Sequence, residues 1–326
     1  MDEYYNYAAA RLDLESHTLK RNLDPNKRYY QLCIWDGAMA DTCTAFKLPG
    51  DRRTICTTPN QQTKEQEEAM FTLQGVISDL DLPPLKFQPK AQQMRHIRQS
   101  VTLTGLGHQV FEQAVTTLYG INTLLERLEP PGTVEKWKPS DYAGFTAINL
   151  QNRYFTPKRF ANGLPSIPFD DMNDSNRYLR SCNNPDFVHT EENNVEFYAS
   201  AKAGAEKIAP SAFRVGDIVE ACVSAVMAPI NAEQCRMIVV LRSLALLESR
   251  HTMSSNTSRE IARGTIAFRT ATSKLPKRRR AYAQEEENSN DNTARPSASE
   301  KRPKAGNDVG SVTGQNESAD KHMAVE

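Results

Sequence analysis

The stretch FRVGDIVEACVSAVMAPINAEQCRMIVVLRSLALLE, residues 213–248, narrows the possible folds more than any other part of the chain. It holds two long apolar runs joined by a turn at APINAEQ. In the first run Val219, Ala221, Val223, Ala225 and Met227 alternate onto one face, while Ile218, Cys222 and Val226 share the other with Glu220 and Ser224. A strand that is apolar on both faces is covered on both, so the pair belongs inside a small barrel or a sandwich and not on a one-sided sheet. Gly216-Asp217 at the strand entry suits a turn or bulge.

With 326 residues and 39% hydrophobic content, the chain can bury one large core or two smaller ones. AAARLDLE favours an N-terminal helix, ended by the breaker DPN at 24–26. RYYQLCIWD, TCTAFKL and RRTICTT are rich in aromatic and β-branched residues and are predicted as short strands. Met70, Leu73, Val76, Ile77 and Leu80 recur at intervals of three and four, which predicts an amphipathic helix over 64–80. A second is predicted from Val110, Phe111, Ala114, Leu118, Ile121, Leu125 and Leu128. Residues 134–194, rich in Asn, Asp, Pro and aromatics, are expected as long loops before the strand in NNVEFYASAK. The fold class expected is α+β. An N-terminal portion with strands and two amphipathic helices (1–133) precedes a β-rich portion with long loops (134–249), a basic linker (250–283) and a disordered tail (284–326).

Formal charge is zero overall but unevenly placed. Residues 250–283 carry +8, whereas 1–249 and 284–326 each carry −4. Thr257 to Glu260 forms a capping box for one short helix. Beyond it, Lys274, Lys277, Arg278, Arg279 and Arg280 form a cluster of the kind an import receptor reads, which points to the nucleus. A solvated charge run and a DNA-gripping arm are the alternatives, the latter weakened by the adjacent Glu285–Glu287. After Tyr282 there is no aromatic, Leu or Ile, so 284–326 cannot offset the entropy of ordering. No run of 18 apolar residues occurs, and the acidic start MDEYYNY does not look like a secretory leader. No membrane contact is expected, and the six cysteines are read as reduced structural thiols.

Catalytic signatures fit poorly. Gly105-x-Gly107 leads into a helix as a phosphate-binding turn would, but Val110 stands where a small residue is needed. FDDMNDSN offers oxygen ligands, yet Asn176 and Cys182 occupy the glycine and bidentate-glutamate positions of a calcium loop. The cysteines and histidines lack the close pairing of a zinc site, and no cofactor is expected. LQNRYFTPKRF interleaves Arg153, Lys158 and Arg159 with Tyr154, Phe155 and Phe160, which is the mixture of cations and rings that single-stranded nucleic acid requires, or else a loop anchored by its aromatics. Lys90, Arg95, His96 and Arg98 would extend this surface if the two segments adjoin. A metal-dependent hydrolase or nuclease would draw its acids from Asp170, Asp171, Asp174, Glu191 and Glu192.

FRVGDIVEACVSAVMAPI and MIVVLRSLALLE, together with GLPSIPFDD, FVHTEENNVEFY and KLPKRRRAY, resemble a family of uncharacterised proteins of mushroom-forming (basidiomycete) fungi, over about residues 140–282. The resemblance implies a genuine structural unit over 210–248 and adds no activity, cofactor or site residue. The expectation is therefore a non-enzymatic nuclear protein that binds an import receptor and a protein or nucleic-acid partner, with the aromatic-basic loop as the nucleic-acid alternative.

Overall fold

The two apolar runs form the strands Ile218–Pro229 and Cys235–Glu248, paired antiparallel along their whole length. In the computed structural model the residues described are 1–271 apart from 26–27, 29–30, 35–41, 61, 162, 183 and 202–203. The predicted import segment, Lys274 and Lys277–Arg280, and the tail at 284–326 lie outside the described residues.

Five strands close on themselves: β1 (Phe71–Asp81), β2 (Arg98–Thr104), β3 (Phe145–Arg153), β4 (Ile218–Pro229) and β5 (Cys235–Glu248). β1 runs antiparallel to β2, and β2 to β3. β3 meets β5 in parallel at Gln151 and Val240; β5 returns along β4, and β4 pairs β1 from Ile218–Val76 to Val223–Phe71. The ring order β1-β2-β3-β5-β4 covers both faces of the apolar pair, as its composition requires. Flanking strands, among them Thr44–Lys47, Thr54–Pro59 and Glu196–Ala201, extend the ring into a mixed sheet of 12 strands. The ring takes two strands from before residue 133 and three from after it, and their buried residues form one cluster, so the two portions share one core.

Among the described residues three α-helices complete the α+β fold: α1 (Tyr7–Leu23), α2 (Gln109–Glu126) and α3 (Arg250–Ala271). The stripe of Phe111, Ala114, Leu118, Ile121 and Leu125 on α2 is buried in the barrel's cluster with Leu73, Leu103 and Val219. α1 is N-capped by Asn6 and ends at Asp24, where the breaker was expected. It is tied to α3 through Asp13, which lies 2.6 Å from His251 Nε2, while Arg259 Nε donates to Asp2 at 2.7 Å.

Four expectations are corrected. The segment expected as a helix over 64–80 is strand, Gln66–Glu68 and then β1. Phe71–Ser78 is buried on both sides except at Thr72, and in such a run three-and-four spacing coexists with strand burial. The loops expected over 134–194 contain β3, whose polar residues Asn149, Gln151 and Asn152 mask its alternation. Next, α3 begins at Arg250, and Thr257 lies inside it with its hydroxyl donating to the Met253 carbonyl at 3.0 Å. Finally, the described part of RYYQLCIWD is a short 3-10 turn, Leu32–Ile34.

Gly105 serves packing and not phosphate. A Cβ built there would lie 2.3 Å from Phe111 Cβ, so the first turn of α2 rests directly on the glycine backbone.

Candidate functional site

Where the β1–β2 loop, the ends of β2 and β3, and the β4–β5 hairpin converge, the surface folds into a groove of about 310 Å³. Six arginines line it, at 53, 95, 98, 153, 236 and 242, against the two carboxylates of Asp51 and Glu192. The strands set this composition by period. On β5 the groove-lining residues Arg236, Ile238 and Val240 through Arg242 occur at every second position, so cations and aliphatics share one face.

The arginines divide into two groups. Arg53 is held by Asp51 and, at 3.0 Å, by Glu192 Oε2. Arg242 is held by Glu68, by the Glu192 carbonyl at 2.6 Å and by Ser224 Oγ at 3.1 Å. The other four form no ion pair with a carboxylate among the described residues. Arg98 finds only neutral partners, the His96 carbonyl and Gln151 Oε1. Arg95, Arg153 and Arg236 have neither an ion pair nor a side-chain hydrogen bond to a described residue.

Register sets two cations across one strand pair, with Arg98 on β2 directly opposite Arg153 on β3. Like charges at directly opposed positions repel. Burial lowers the proton affinity of Arg153 to a pKa of about 10, with the Arg53 charge adding to the effect and the Glu192 and Asp51 carboxylates opposing it. Arg98 is lowered as well, by desolvation and by Arg236. Arg153 is half-buried while Arg95, Arg98 and Arg236 are exposed, and cations that share a groove without ion pairs are suited to an anion.

The apolar part of the groove comes from Phe160, Ile230, Ile238 and Val240. The ring of Phe160 is half-buried, with the Arg159 guanidinium 4.6 Å from its centroid. Asn152 fastens the narrow parallel seam behind it, its amide donating to the Glu192 and Leu241 carbonyls at 2.9 and 3.1 Å.

Of the aromatic-basic segment, Arg153 and Phe160 line the groove, and Lys158 and Arg159 are exposed beside it. Tyr154 and Phe155 are 2% and 5% exposed and pack with Met94 and Leu179, which removes them from any stacking role. Their cluster anchors the β1–β2 loop instead, and so brings Arg95, His96 and Arg98 against Arg153; Lys90 is exposed outside the groove lining. In the same cluster His189 stacks on Phe169 at 3.8 Å, its Nδ1 2.8 Å from the Tyr154 carbonyl, and burial lowers its pKa.

Four of the five acids expected for hydrolysis are spent on structure. Asp174, 1% exposed, accepts from the backbone amides of Leu179 and Arg180 at 3.0 and 2.9 Å. Asp170 caps Met172, Asp171 pairs with Arg180, and Glu192 pairs with Arg53, while Glu191 lies exposed in a 3-10 turn. Among the described residues no three His, Cys, Asp or Glu side chains are placed to hold a metal ion.

Sequence reasoning missed Arg53, Arg236 and Arg242. The usable signal was Arg236-x-x-x-x-x-Arg242 on a strand, where even spacing sets both cations on one face.

No family profile and no curated protein matches the chain. Among solved structures, the single-stranded DNA-binding protein gp2.5 of bacteriophage T7 aligns at 12% identity and TM-score 0.29, over 55% of this chain and 86% of that one. A single-stranded DNA-binding protein from bacteriophage Enc34 aligns at 9% identity and TM-score 0.32, over 63% of this chain and 89% of that one.

Proposed function

We propose that the groove binds single-stranded nucleic acid, with its four unpaired arginines on phosphates and its apolar wall against bases. The observation that carries this reading is the opposition of Arg98 and Arg153 across the β2–β3 pair with neither in an ion pair with a described residue. An anion relieves that repulsion, and a polyanion relieves it at Arg95 and Arg236 as well. Cations alternating with Ile238, Val240 and the Phe160 ring suit a strand whose bases are unpaired, because a duplex hides the apolar faces of its bases. The site also lies where five-stranded barrels of the OB type take oligonucleotides, on strands 2 and 3 between the loops β1–β2 and β4–β5.

Anisotropy of a labelled oligothymidylate titrated with the full chain across a salt series tests this. Four phosphate contacts on a single strand give a slope of log K against log salt of about −3. Equal or tighter binding of a duplex of the same length, or a slope near zero, would contradict the reading.

Delivery to the nucleus by Lys274 and Lys277–Arg280 belongs to the same proposal and is supported by the sequence alone. Alanine at Lys277–Arg280 is expected to shift a fluorescent fusion from nucleus to cytoplasm. An unchanged distribution removes this part and leaves the groove untouched.

A further inference from the structure

Phe87 is 82% exposed, the highest exposure of any large apolar side chain among the described residues. It sits in the β1–β2 loop, the same loop that delivers Arg95 and His96 to the groove. The backbone around it is held on both sides. Leu85 packs against the cluster of Met94, Tyr154, Phe155 and Leu179, and its carbonyl accepts from Asn176 Nδ2 at 3.1 Å. Gln88 Nε2 donates to Ser181 Oγ at 3.0 Å, and the Lys90 amide donates to Gln93 Oε1 at 2.8 Å. The ring is thus presented to solvent by an anchored stretch of chain. Lys86 and Lys90 flank it, both exposed and neither in an ion pair with a described residue.

An anchored ring between two free ammonium groups has the composition of a stacking contact for one base with its neighbouring phosphates. We propose that Phe87 is a base-stacking platform beyond the groove, so that a bound strand leaves the arginine cluster and continues along the β1–β2 loop. The proposal rests on the groove reading above and adds to it a second subsite on the same single strand.

The test compares the full chain with Phe87→Ala, Phe87→Tyr and Arg153→Gln on oligothymidylates from about 4 to about 16 nucleotides, the span of site sizes for one barrel of this kind. For the longer oligonucleotides Phe87→Ala is expected to weaken binding about tenfold, the loss of one base stack, and Phe87→Tyr to retain the affinity. The shortest are expected to bind Phe87→Ala as they bind the unaltered protein. A Phe87→Trp variant should lose emission as the longer oligonucleotides bind. If Phe87→Ala binds every length normally while Arg153→Gln is impaired, the platform is refuted and the groove stands. An equal loss at all lengths places Phe87 inside the primary site and also refutes an extension beyond it. If neither alanine nor glutamine changes any affinity, the groove reading fails and the platform falls with it.

Discussion

Arg153→Glu is expected to weaken binding of a single-stranded oligonucleotide about 100-fold at moderate salt, without lowering the melting temperature. Losing a charge-assisted contact costs about 1.5–3 kcal/mol, and a carboxylate in its place repels the neighbouring phosphates. Stability should not follow the affinity down, because Arg153 has no ion pair or side-chain hydrogen bond to a described residue to lose, and the Arg53 and Arg242 charges that oppose it offset the Glu192 and Asp51 carboxylates that favour it. A carboxylate there is attracted by those cations and repelled by Glu192 and Asp51, so Tm is expected to hold. An arginine kept for folding would behave in the opposite manner, with stability falling and affinity following it. Isothermal titration and thermal melts on the same preparation separate the two, and undiminished affinity would remove Arg153 from the site.

Gly105→Ala is expected to be among the most damaging single-methyl changes in the chain. The added Cβ meets Phe111 at its Cβ and Cγ, at 2.3 and 2.5 Å, close to the α2 backbone, where rotamer changes give no relief. Overpacking of this kind costs about 3 kcal/mol, a fall in Tm of roughly 6–12 °C. Gly120→Ala on the same helix is the counterpart, since nothing lies within 4 Å of its added Cβ and the position is exposed. Alanine there should stabilise by about 1 kcal/mol through helix propensity alone. Opposite signs for one substitution type at two glycines associated with α2 would locate its packing at the Gly105 end; equal effects would contradict it.

Several elements were legible because their signals are local. The β4–β5 pair announced itself by apolarity on both faces and a polar turn, and α2 by a long stripe bounded by Gly107 and Pro130. β1 misled because a strand buried on both sides has no alternation to display, and Gly75 in its middle is explained only by the contacts a Cβ would make with Leu103 and Phe111. β3 misled for the reverse reason. Its polar side chains face partners that the sequence does not place beside it, such as the Glu192 and Leu241 carbonyls beside Asn152.

Sequence by itself determined that the β4–β5 pair and the α2 stripe are interior, where α1 and α2 stop, and that a basic-aromatic segment lies at 151–160. Burial, capping and turn chemistry depend on neighbours a few residues apart, so they can be read in place. Only the tertiary structure decided which members of that segment face solvent, burying Tyr154 and Phe155 while leaving Arg153 at the groove. It also decided that Arg98 stands across from Arg153 and near Arg236. Electrostatic repulsion falls with distance in space and not along the chain, so a cluster of cations from strands β2, β3 and β5 comes into being only when the ring closes.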